Sequence, residues 1–148
     1  MTTLRIHDDC NGALALDLRD LIDLLAPRSL QASWMVSPVV LHHPVLGRAL
    51  DEFMVAGEHQ LEAFAAKGTV VSGAALSKAA REASQVIWGQ FVGTLPEQDD
   101  TWIMIRAVDS TFYEVTSSDE AVLGAIRSAY KDVRIAAGPV TSSPISPV

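Results

Sequence analysis

The chain has 148 residues and a mass of 15.9 kDa, and its formal charge at pH 7 is −7. A chain of this length buries roughly 68–70% of the surface that its unfolded form exposes, so it needs no covalent or metal crosslinks for stability. The single cysteine, Cys10, excludes an intrachain disulfide and a cysteine-based zinc site. We therefore expect one domain in a cytoplasmic protein.

Charge and hydropathy argue against binding to nucleic acids and to membranes. Eighteen acidic side chains outnumber eleven basic ones, and the basic ones are scattered from Arg5 to Arg134. Because phosphate neutralisation supplies much of nucleic-acid affinity, this balance favours a basic partner over DNA or RNA. The chain shows neither an apolar run of about 18 residues, which a transmembrane helix requires, nor the pattern of a signal peptide at its N-terminus.

The first thirty residues predict a short strand and one helix. The segment LRIH is typical of a strand and leads into a turn at Asp8–Gly12. Asp17 is a candidate N-cap for an amphipathic helix with leucine and isoleucine on one face. Pro27 ends this helix, because proline cannot donate a backbone hydrogen bond.

The next segment predicts a strand, a loop and further helix. Residues Gln31–Ser37 are rich in β-branched and aromatic side chains, and the proline-bounded stretch after them is typical of an irregular loop. Apolar residues between Leu46 and Ala66 recur every three or four positions, which predicts one helix through Gly57 or two that meet there. Gly68 is a suitable C-terminal cap for this helix.

The second half of the chain predicts a helix, a three-stranded meander and a closing helix. Ser72 is the candidate N-cap of GAALSKAAREAS, and Ser117 with Glu120 has the spacing of a capping box for the closing helix. Between them, QVIWGQFVG, TWIMIRAV and TFYEV are consecutive strand-like runs joined by short loops.

These elements together predict an α+β fold, with helices on one face of an antiparallel meander of three to four strands. Residues 1–135 form the predicted domain. Residues 136–148 are the predicted Pro/Ser-rich tail, whose composition favours an extended, polyproline-like conformation. The sheet face that the helices leave uncovered is then the expected functional surface.

Polar and aromatic side chains in the meander are the candidate binding residues. Alternation along a strand places Trp102 on one face with Arg106, while the aliphatic residues between them face the helices. A three-residue loop Asp109–Thr111 sets Arg106 opposite Glu114, whereas a two-residue loop sets it opposite Tyr113. The predicted binding residues are Trp88, Gln90, Trp102, Arg106, Asp109, Tyr113 and Glu114.

A structural interpretation competes with the functional one at this site. Arg106 and Glu114 can form a cross-strand ion pair worth about 0.2–1 kcal/mol, and Asp109 can simply make an Asx-type turn. Tryptophan and arginine are, however, enriched in binding hot spots, which favours an interface. We predict no catalytic set, because no histidine lies near Ser110 or Thr111 in the chain.

Other polar motifs carry weaker signals. The HDDC segment at residues 7–10 cannot direct all four side chains at one ion without a sharp turn, and the pair His42 and His43 alone is a weak metal signal. Ser72 and Lys78 lack the spacing of a serine–lysine nucleophile. We therefore predict no metal site and no cofactor.

Three functions remain as hypotheses. The first is a non-catalytic inhibitor, immunity or adaptor protein, which binds a more basic protein through the aromatic sheet face or through the acidic loop with Glu97, Asp99 and Asp100. The alternative is a small-molecule-binding domain or small enzyme, in which Arg106 anchors an anion and Asp109 or Glu114 is the base. The third is a homodimer that pairs through its sheet.

Overall fold

The structure of the protein, a computed structural model, describes residues 1–43, 48–57 and 60–136. Its strands are β1 (Thr2–Ile6), β2 (Asp9–Cys10), β3 (Ala13–Leu14), β4 (Ser33–Ser37), β5 (Val39–His43), β6 (Arg48–Glu52), β7 (Met54–Gly57), β8 (Val70–Ser72), β9 (Ala83–Thr94), β10 (Ile103–Val108), β11 (Phe112–Ser117) and β12 (Val133–Ala136). Its helices are α1 (Leu18–Leu24), α2 (Arg28–Gln31), α3 (Gln60–Lys67), α4 (Gly73–Glu82) and α5 (Glu120–Ala129). The fold class is α+β, as the sequence predicts.

The main sheet has eight strands in the described residues, so the prediction of three to four strands is wrong. Its order is β12-β1-β11-β10-β9-β4-β8, with β7 paired to β9 as well, and every one of these pairings is antiparallel. Strands β2 and β3, and β5 and β6, form two separate hairpins. The strand number is underestimated because β8 and β12 have only three and four residues, too few to show a clear alternation.

The three-stranded meander lies at the centre of this sheet, where β9, β10 and β11 are neighbours. Val108 pairs with Phe112 and Arg106 pairs with Glu114, which is the register of the three-residue loop. Asp109 and Ser110 in that loop have φ angles of 52° and 56°, a left-handed conformation that Asp tolerates better than most residues. The loop therefore fixes which side chains share a face with Arg106.

Two bulges in β9 change which face of the sheet the side chains in the first half of this strand point to. Met54 pairs with Trp88, but the next residue of β7, Val55, pairs with Val86, and a second irregularity follows. A bulge inserts one residue and reverses the alternation of side chains beyond it. Val86 therefore belongs to the core, whereas uninterrupted alternation along β9 would place it on the face of Gln90.

Strands replace the predicted helix and loop in the segment before α3. The described residues between 48 and 57 form β6 and β7, and helix α3 begins only at Gln60. The prediction of an irregular loop after Ser37 is also wrong in part, because Val39–His43 forms β5. Residues 44–47 and 58–59 lie outside the described residues. Pairing of β7 with β9 overrides a weak helical pattern here, since tertiary contacts decide the state of marginal segments.

Two of the three predicted helix N-caps are confirmed by the structure, and the third is wrong. Asp17 is the N-cap of α1, and Ser72 Oγ accepts a hydrogen bond of 3.1 Å from the Ala75 amide at the start of α4. The capping box at Ser117 is wrong: Ser117 ends β11, and the N-cap of α5 is Asp119. The predicted strand also begins later than Gln31, because that residue closes α2.

The helices pack on one face of the sheet. Four of the five described helices contribute buried side chains to one apolar cluster with the strands. From the helices these are Leu18, Leu21, Ile22, Leu61, Leu76, Ala79, Ala80, Val122, Leu123 and Ile126. From the central strands they are Leu4, Ile6, Trp34, Val36, Phe91, Ile103, Ile105, Ala107, Tyr113 and Val115. This is the core face of the sheet, and we call the opposite one the second face.

The ends of the predicted domain are only partly described. Ala136, which the sequence assigns to the tail, is the last residue of β12, and residues 137–148 lie outside the described residues. Across the described part of the chain, none of the helices has the length and apolar character needed to cross a membrane.

Candidate functional site

A line of polar side chains crosses the second face at the centre of the sheet. Pairing places Arg5 on β1 next to Glu114 on β11, Arg106 on β10 next to Glu114, and Gln90 on β9 next to Arg106. These four residues form the arginine row. Three strands of the row belong to the predicted meander, whereas Arg5 comes from the first strand of the chain.

Hydrogen bonds and ion pairs connect the arginine row. Arg5 Nε donates to Glu114 Oε2 at 2.8 Å, and Arg106 Nε donates to Gln90 Oε1 at 2.8 Å. Arg106 Nη1 lies 3.8 Å from Glu114 Oε1, a distance that allows electrostatic attraction but is too long for a hydrogen bond. Glu114 is completely buried, so both guanidinium groups act as its counterions.

Arg106 is compensated incompletely by these neighbours. The residue is only 7% exposed, and its Nη1 atom is buried without a hydrogen-bond acceptor among the described residues. Burial lowers the pKa of Arg106, and the charge of Glu114 opposes this shift without cancelling it. The guanidinium stays protonated at neutral pH, as arginine does in proteins. The fold therefore holds a cation at the centre of the second face and leaves part of its donor capacity unused.

Apolar and aromatic side chains flank the arginine row on the second face. Phe112 is half-buried beside Val108, its ring centroid lies 5.2 Å from Arg5 Cζ, and the His7 ring packs against it at 4.9 Å. Trp88 shares the face with Gln90, because Gly89 between them faces the core. Trp88 is half-buried and pairs with Met54.

Tyr113 lies on the core face, away from the arginine row. Its side chain is completely buried and donates a 2.7 Å hydrogen bond to Asp17 Oδ1. The Val86 amide donates to the same oxygen at 3.0 Å, and Arg19 Nη1 lies 3.3 Å from Asp17 Oδ2. Burial, and then the negative charge of Asp17, raises the pKa of Tyr113 well above its usual value. This arrangement is a buried link between α1 and the sheet.

Trp102 is part of a different cluster at one end of the sheet. The chain enters β10 only at Ile103, so pleat alternation does not direct the Trp102 ring to the second face. The indole packs edge to face with Trp34 at 6.3 Å, and Trp102 Nε1 donates to Asp119 Oδ2 at 3.0 Å. The Arg28 guanidinium covers the Trp102 ring at 5.2 Å and pairs with the Asp119 carboxylate.

The Asp119 carboxylate organises this cluster. Its Oδ1 atom accepts a 2.9 Å hydrogen bond from the Ala121 amide and so caps α5. Burial alone would raise the pKa of Asp119, but hydrogen bonds from Trp102, Ala121 and Arg28, together with the charge of Arg28, hold it below its usual value. Asp119 is therefore a stable anion at neutral pH.

A cavity of about 360 Å³ opens beside the Asp119 carboxylate. It is lined by Arg28, Gln98, Thr101, Trp102, Ser118 and Asp119, which we call the Trp102 corner. Gln98 and Thr101 belong to the loop between β9 and β10, whose acidic residues Glu97, Asp99 and Asp100 are exposed. None of these three carboxylates makes an ion pair with a described residue.

The structure distributes the predicted binding residues over four separate places. Arg106, Glu114 and Gln90 meet in the arginine row, with Trp88 on the same face. Trp102 and Tyr113 lie elsewhere, as described above, so the prediction that Trp102 shares the face of Arg106 is wrong. Asp109 is exposed in the hairpin turn.

Other candidate ligands are dispersed. The described residues include no group of three or more His, Cys, Asp or Glu side chains that could hold a metal ion. Asp8 of the HDDC segment accepts hydrogen bonds from the Lys131 and Asp132 amides, at distances from 2.6 to 3.0 Å, and so fastens the start of β12. His42 and His43 belong to β5, away from the HDDC segment in sequence.

The sequence did not indicate Arg5 as a member of the arginine row, nor Arg28 and Asp119 as members of the Trp102 corner. Arg5 and Arg28 had no pattern that connects them with Glu114 and Asp119, since each contact joins positions about a hundred residues apart. Asp119 had a usable signal, because an aspartate directly before a helix is a preferred N-cap.

Comparison with known proteins identifies no relative of this chain. No protein-family model, curated protein or solved structure matches this chain.

Proposed function

We propose that this protein is a non-catalytic interaction protein of the inhibitor, immunity or adaptor type, and that it binds a more basic protein partner through the acidic loop at the Trp102 corner. The observation that carries the proposal is the exposure of Glu97, Asp99 and Asp100, none of which is paired with a described cation, beside a cavity whose lining includes Asp119.

Electrostatics support this surface as the place of contact. Glu120 adds a further exposed carboxylate next to Asp119, and Arg28 is the one cation among the residues that line the cavity. The overall charge of −7 has the same sign as this surface and adds to its attraction for a basic protein. A partner would approach along this field and place a lysine or arginine against the loop.

The cavity supplies a recess for such a side chain. Its volume of about 360 Å³ lies at the lower end of the range of about 300–1,000 Å³ that ligand pockets occupy. Asp119 in its lining already binds one guanidinium, that of Arg28, which lies over the Trp102 ring. Carboxylate and indole together are suitable groups for a basic side chain.

A matched pair of charge-neutralising variants tests the proposal. The loop variant carries Glu97→Gln and Asp99→Asn. The control carries Glu82→Gln and Asp9→Asn, which remove the same charge at exposed positions on other parts of the protein. Basic proteins captured from native extract by each form are identified, and the association rate of each purified partner is then measured at low and high salt.

We expect the loop variant to bind a basic partner several-fold more slowly than both the wild type and the control at low salt. The difference should disappear at high salt, because exposed charges are then screened. Equal association rates for the loop variant and the control would refute the acidic loop as the binding surface.

A further inference from the structure

A buried cationic donor without an acceptor lies at the centre of the second face, apart from the Trp102 corner. Arg106 uses its Nε–H group in the bond to Gln90, while Nη1 has no hydrogen-bond acceptor among the described residues. Buried donors of folded proteins nearly always have partners, so an orphaned one calls for a ligand, a water molecule or an ion. The cost of leaving it unpaired is greater for a charged group than for a neutral one.

The charge balance of the arginine row specifies the sign of a ligand. Arg5 and Arg106 are two cations, whereas Glu114 is the one anion of the row and Gln90 is neutral. Glu114 Oε2 already accepts the bond from Arg5 at 2.8 Å, and its Oε1 stays 3.8 Å from Arg106. The four residues of the row thus sum to one positive charge, which a ligand with a single negative charge would balance.

The shape of the donor and its surroundings specify the chemistry. A guanidinium presents its N–H groups as a planar fork that matches a carboxylate. Met104 and Val108 flank Arg106 along β10 on the same face, and Phe112 is paired with Val108 on β11. We infer that Arg106 is the anchor of a binding site for a carboxylate that is attached to an apolar group.

Access to Arg106 requires a small rearrangement of side chains. Nη1 is covered in the structure, so a ligand reaches it only when a neighbour moves. Met104 is half-buried two residues away, and its unbranched side chain adapts easily to a new contact. Arg5 keeps its bond to Glu114, and its side chain is 31% exposed, so it adds a positive charge near water for an incoming carboxylate.

The test follows the Arg106 Nε–H signal by NMR while sodium benzoate is added at constant ionic strength. We expect a saturable shift of this signal and of the Met104 methyl signal. Sodium chloride at the same ionic strength should give neither. The Arg134 signal provides an internal control, since Arg134 is exposed and makes two hydrogen bonds to Asp132.

Variants connect the binding to the guanidinium. Arg106→Gln should weaken benzoate binding by about tenfold or more, because the charged hydrogen bonds are lost. Arg134→Gln removes one positive charge from the same sheet and should leave the affinity unchanged. If the Arg106 signal does not respond to benzoate in the wild type, the proposal is overturned, whether or not the variants fold.

The source of the carboxylate is resolved by a second titration. A tripeptide that ends in phenylalanine is added with a free or an amidated C-terminus. Tighter binding of the free peptide than of benzoate indicates the C-terminus of a protein, while tighter binding of benzoate indicates a small molecule. This site and the acidic loop are tested by different probes, so that failure of one leaves the other intact.

Discussion

The hydroxyl group of Tyr113 donates a 2.7 Å hydrogen bond to Asp17 Oδ1 and so fastens the N-terminus of α1 to the centre of the sheet. Both residues are buried, with Tyr113 0% and Asp17 6% exposed. Asp17 also accepts the Val86 amide, which lies beyond the bulge in β9. A single carboxylate therefore holds together a helix end and two strands.

Replacing Tyr113 by phenylalanine tests this link. The ring volume is kept, but Asp17 loses a donor in a buried site, and we expect the free energy of unfolding to fall by about 1–3 kcal/mol. Urea denaturation measures the loss. Tyr130→Phe is the control, because the Tyr130 hydroxyl makes no hydrogen bond to a described residue; an equal loss in both variants would show that the Asp17 bond contributes little.

The same tyrosine predicts a loss of stability at alkaline pH. Burial, with the charge of Asp17 second, raises the pKa of Tyr113 in the folded state above the ordinary value of 10.0. Between these two pKa values the unfolded chain releases a proton and the folded chain does not, which favours unfolding. Burial also raises the pKa of Tyr130, to about 12.

We therefore expect the free energy of unfolding to fall as pH rises above 10, the pKa of an unperturbed tyrosine. Denaturation curves recorded across this range should show a shallower decline for Tyr113→Phe than for the wild type. Parallel declines in the two proteins would mean that Tyr113 titrates normally in the folded state.

Glu114→Gln tests the charge balance of the arginine row. The substitution keeps the shape of the side chain but removes the only anion that contacts Arg5 and Arg106 within the row. We expect a loss of about 1.5–3 kcal/mol in the free energy of unfolding, the range for hydrogen bonds to charged groups.

Asp132→Asn is the matched comparison for Glu114→Gln. Asp132 pairs with Arg134, whose side chain is 62% exposed, so water compensates for the lost partner. We expect the urea midpoint of Asp132→Asn to equal that of the wild type. A similar midpoint for both variants would mean that burial adds nothing to the importance of Glu114.

The central meander could be predicted from its strand-like runs, but the register of its hairpin could not. The loop between Val108 and Phe112 has three residues, and alternation on either side of it brings Arg106 opposite Glu114. The local sequence allowed this register and also a two-residue loop, which would set Arg106 opposite Tyr113. Gln90 could be added in the same way, because no bulge interrupts β9 between this residue and Gly93.

Features that depend on distant contacts could not be predicted. The bulges in β9 exist because β7 pairs with it, and nothing near Val86 indicates them. The position of the Trp102 ring could not be predicted either, since it is set by contacts with Trp34 and Asp119 and not by the pleat of β10. Strand β12 becomes recognisable only once it pairs with β1 at the sheet edge, whereas the LRIH segment already predicts β1.

Two substitutions of Asp119 separate its roles in helix capping and ion pairing. Asparagine is as good an N-cap as aspartate, so Asp119→Asn should keep the cap but lose the pairing with the half-exposed Arg28 and the Oδ2 acceptor of the Trp102 indole, about 1–2 kcal/mol together. Asp119→Ala should lose about 1 kcal/mol more, because the cap is also removed. Trp102 fluorescence during urea denaturation reports on both, as its indole contacts the carboxylate.

The effect of Asp119→Asn should depend on pH. The pKa of Asp119 in the folded state lies below the ordinary value of 3.8, so its ionised form stabilises the protein above that pH and the contribution is lost as pH falls through the folded pKa. The wild type and Asp119→Asn should therefore converge in stability in acid. A constant difference down to the acid limit would contradict the ion-pair interpretation.

Gly93 allows the close packing that connects the Trp102 corner to the core. A Cβ atom at this position would lie 3.0 Å from two ring atoms of Trp34 and 3.1 Å from Ile103 Cγ2. These neighbours are completely buried and have little room to move, so Gly93→Ala should cost about 1–3 kcal/mol through overpacking.

Gly124→Ala provides the opposite expectation for the same chemical change. Its Cβ atom would meet no described atom within 4 Å, and the residue lies inside α5, where alanine is favoured over glycine by about 0.5–1 kcal/mol. Urea midpoints should therefore fall for Gly93→Ala and rise for Gly124→Ala. If both midpoints rise, the Trp34 ring can shift away from β9, and the packing at the Trp102 corner is looser than the distances indicate.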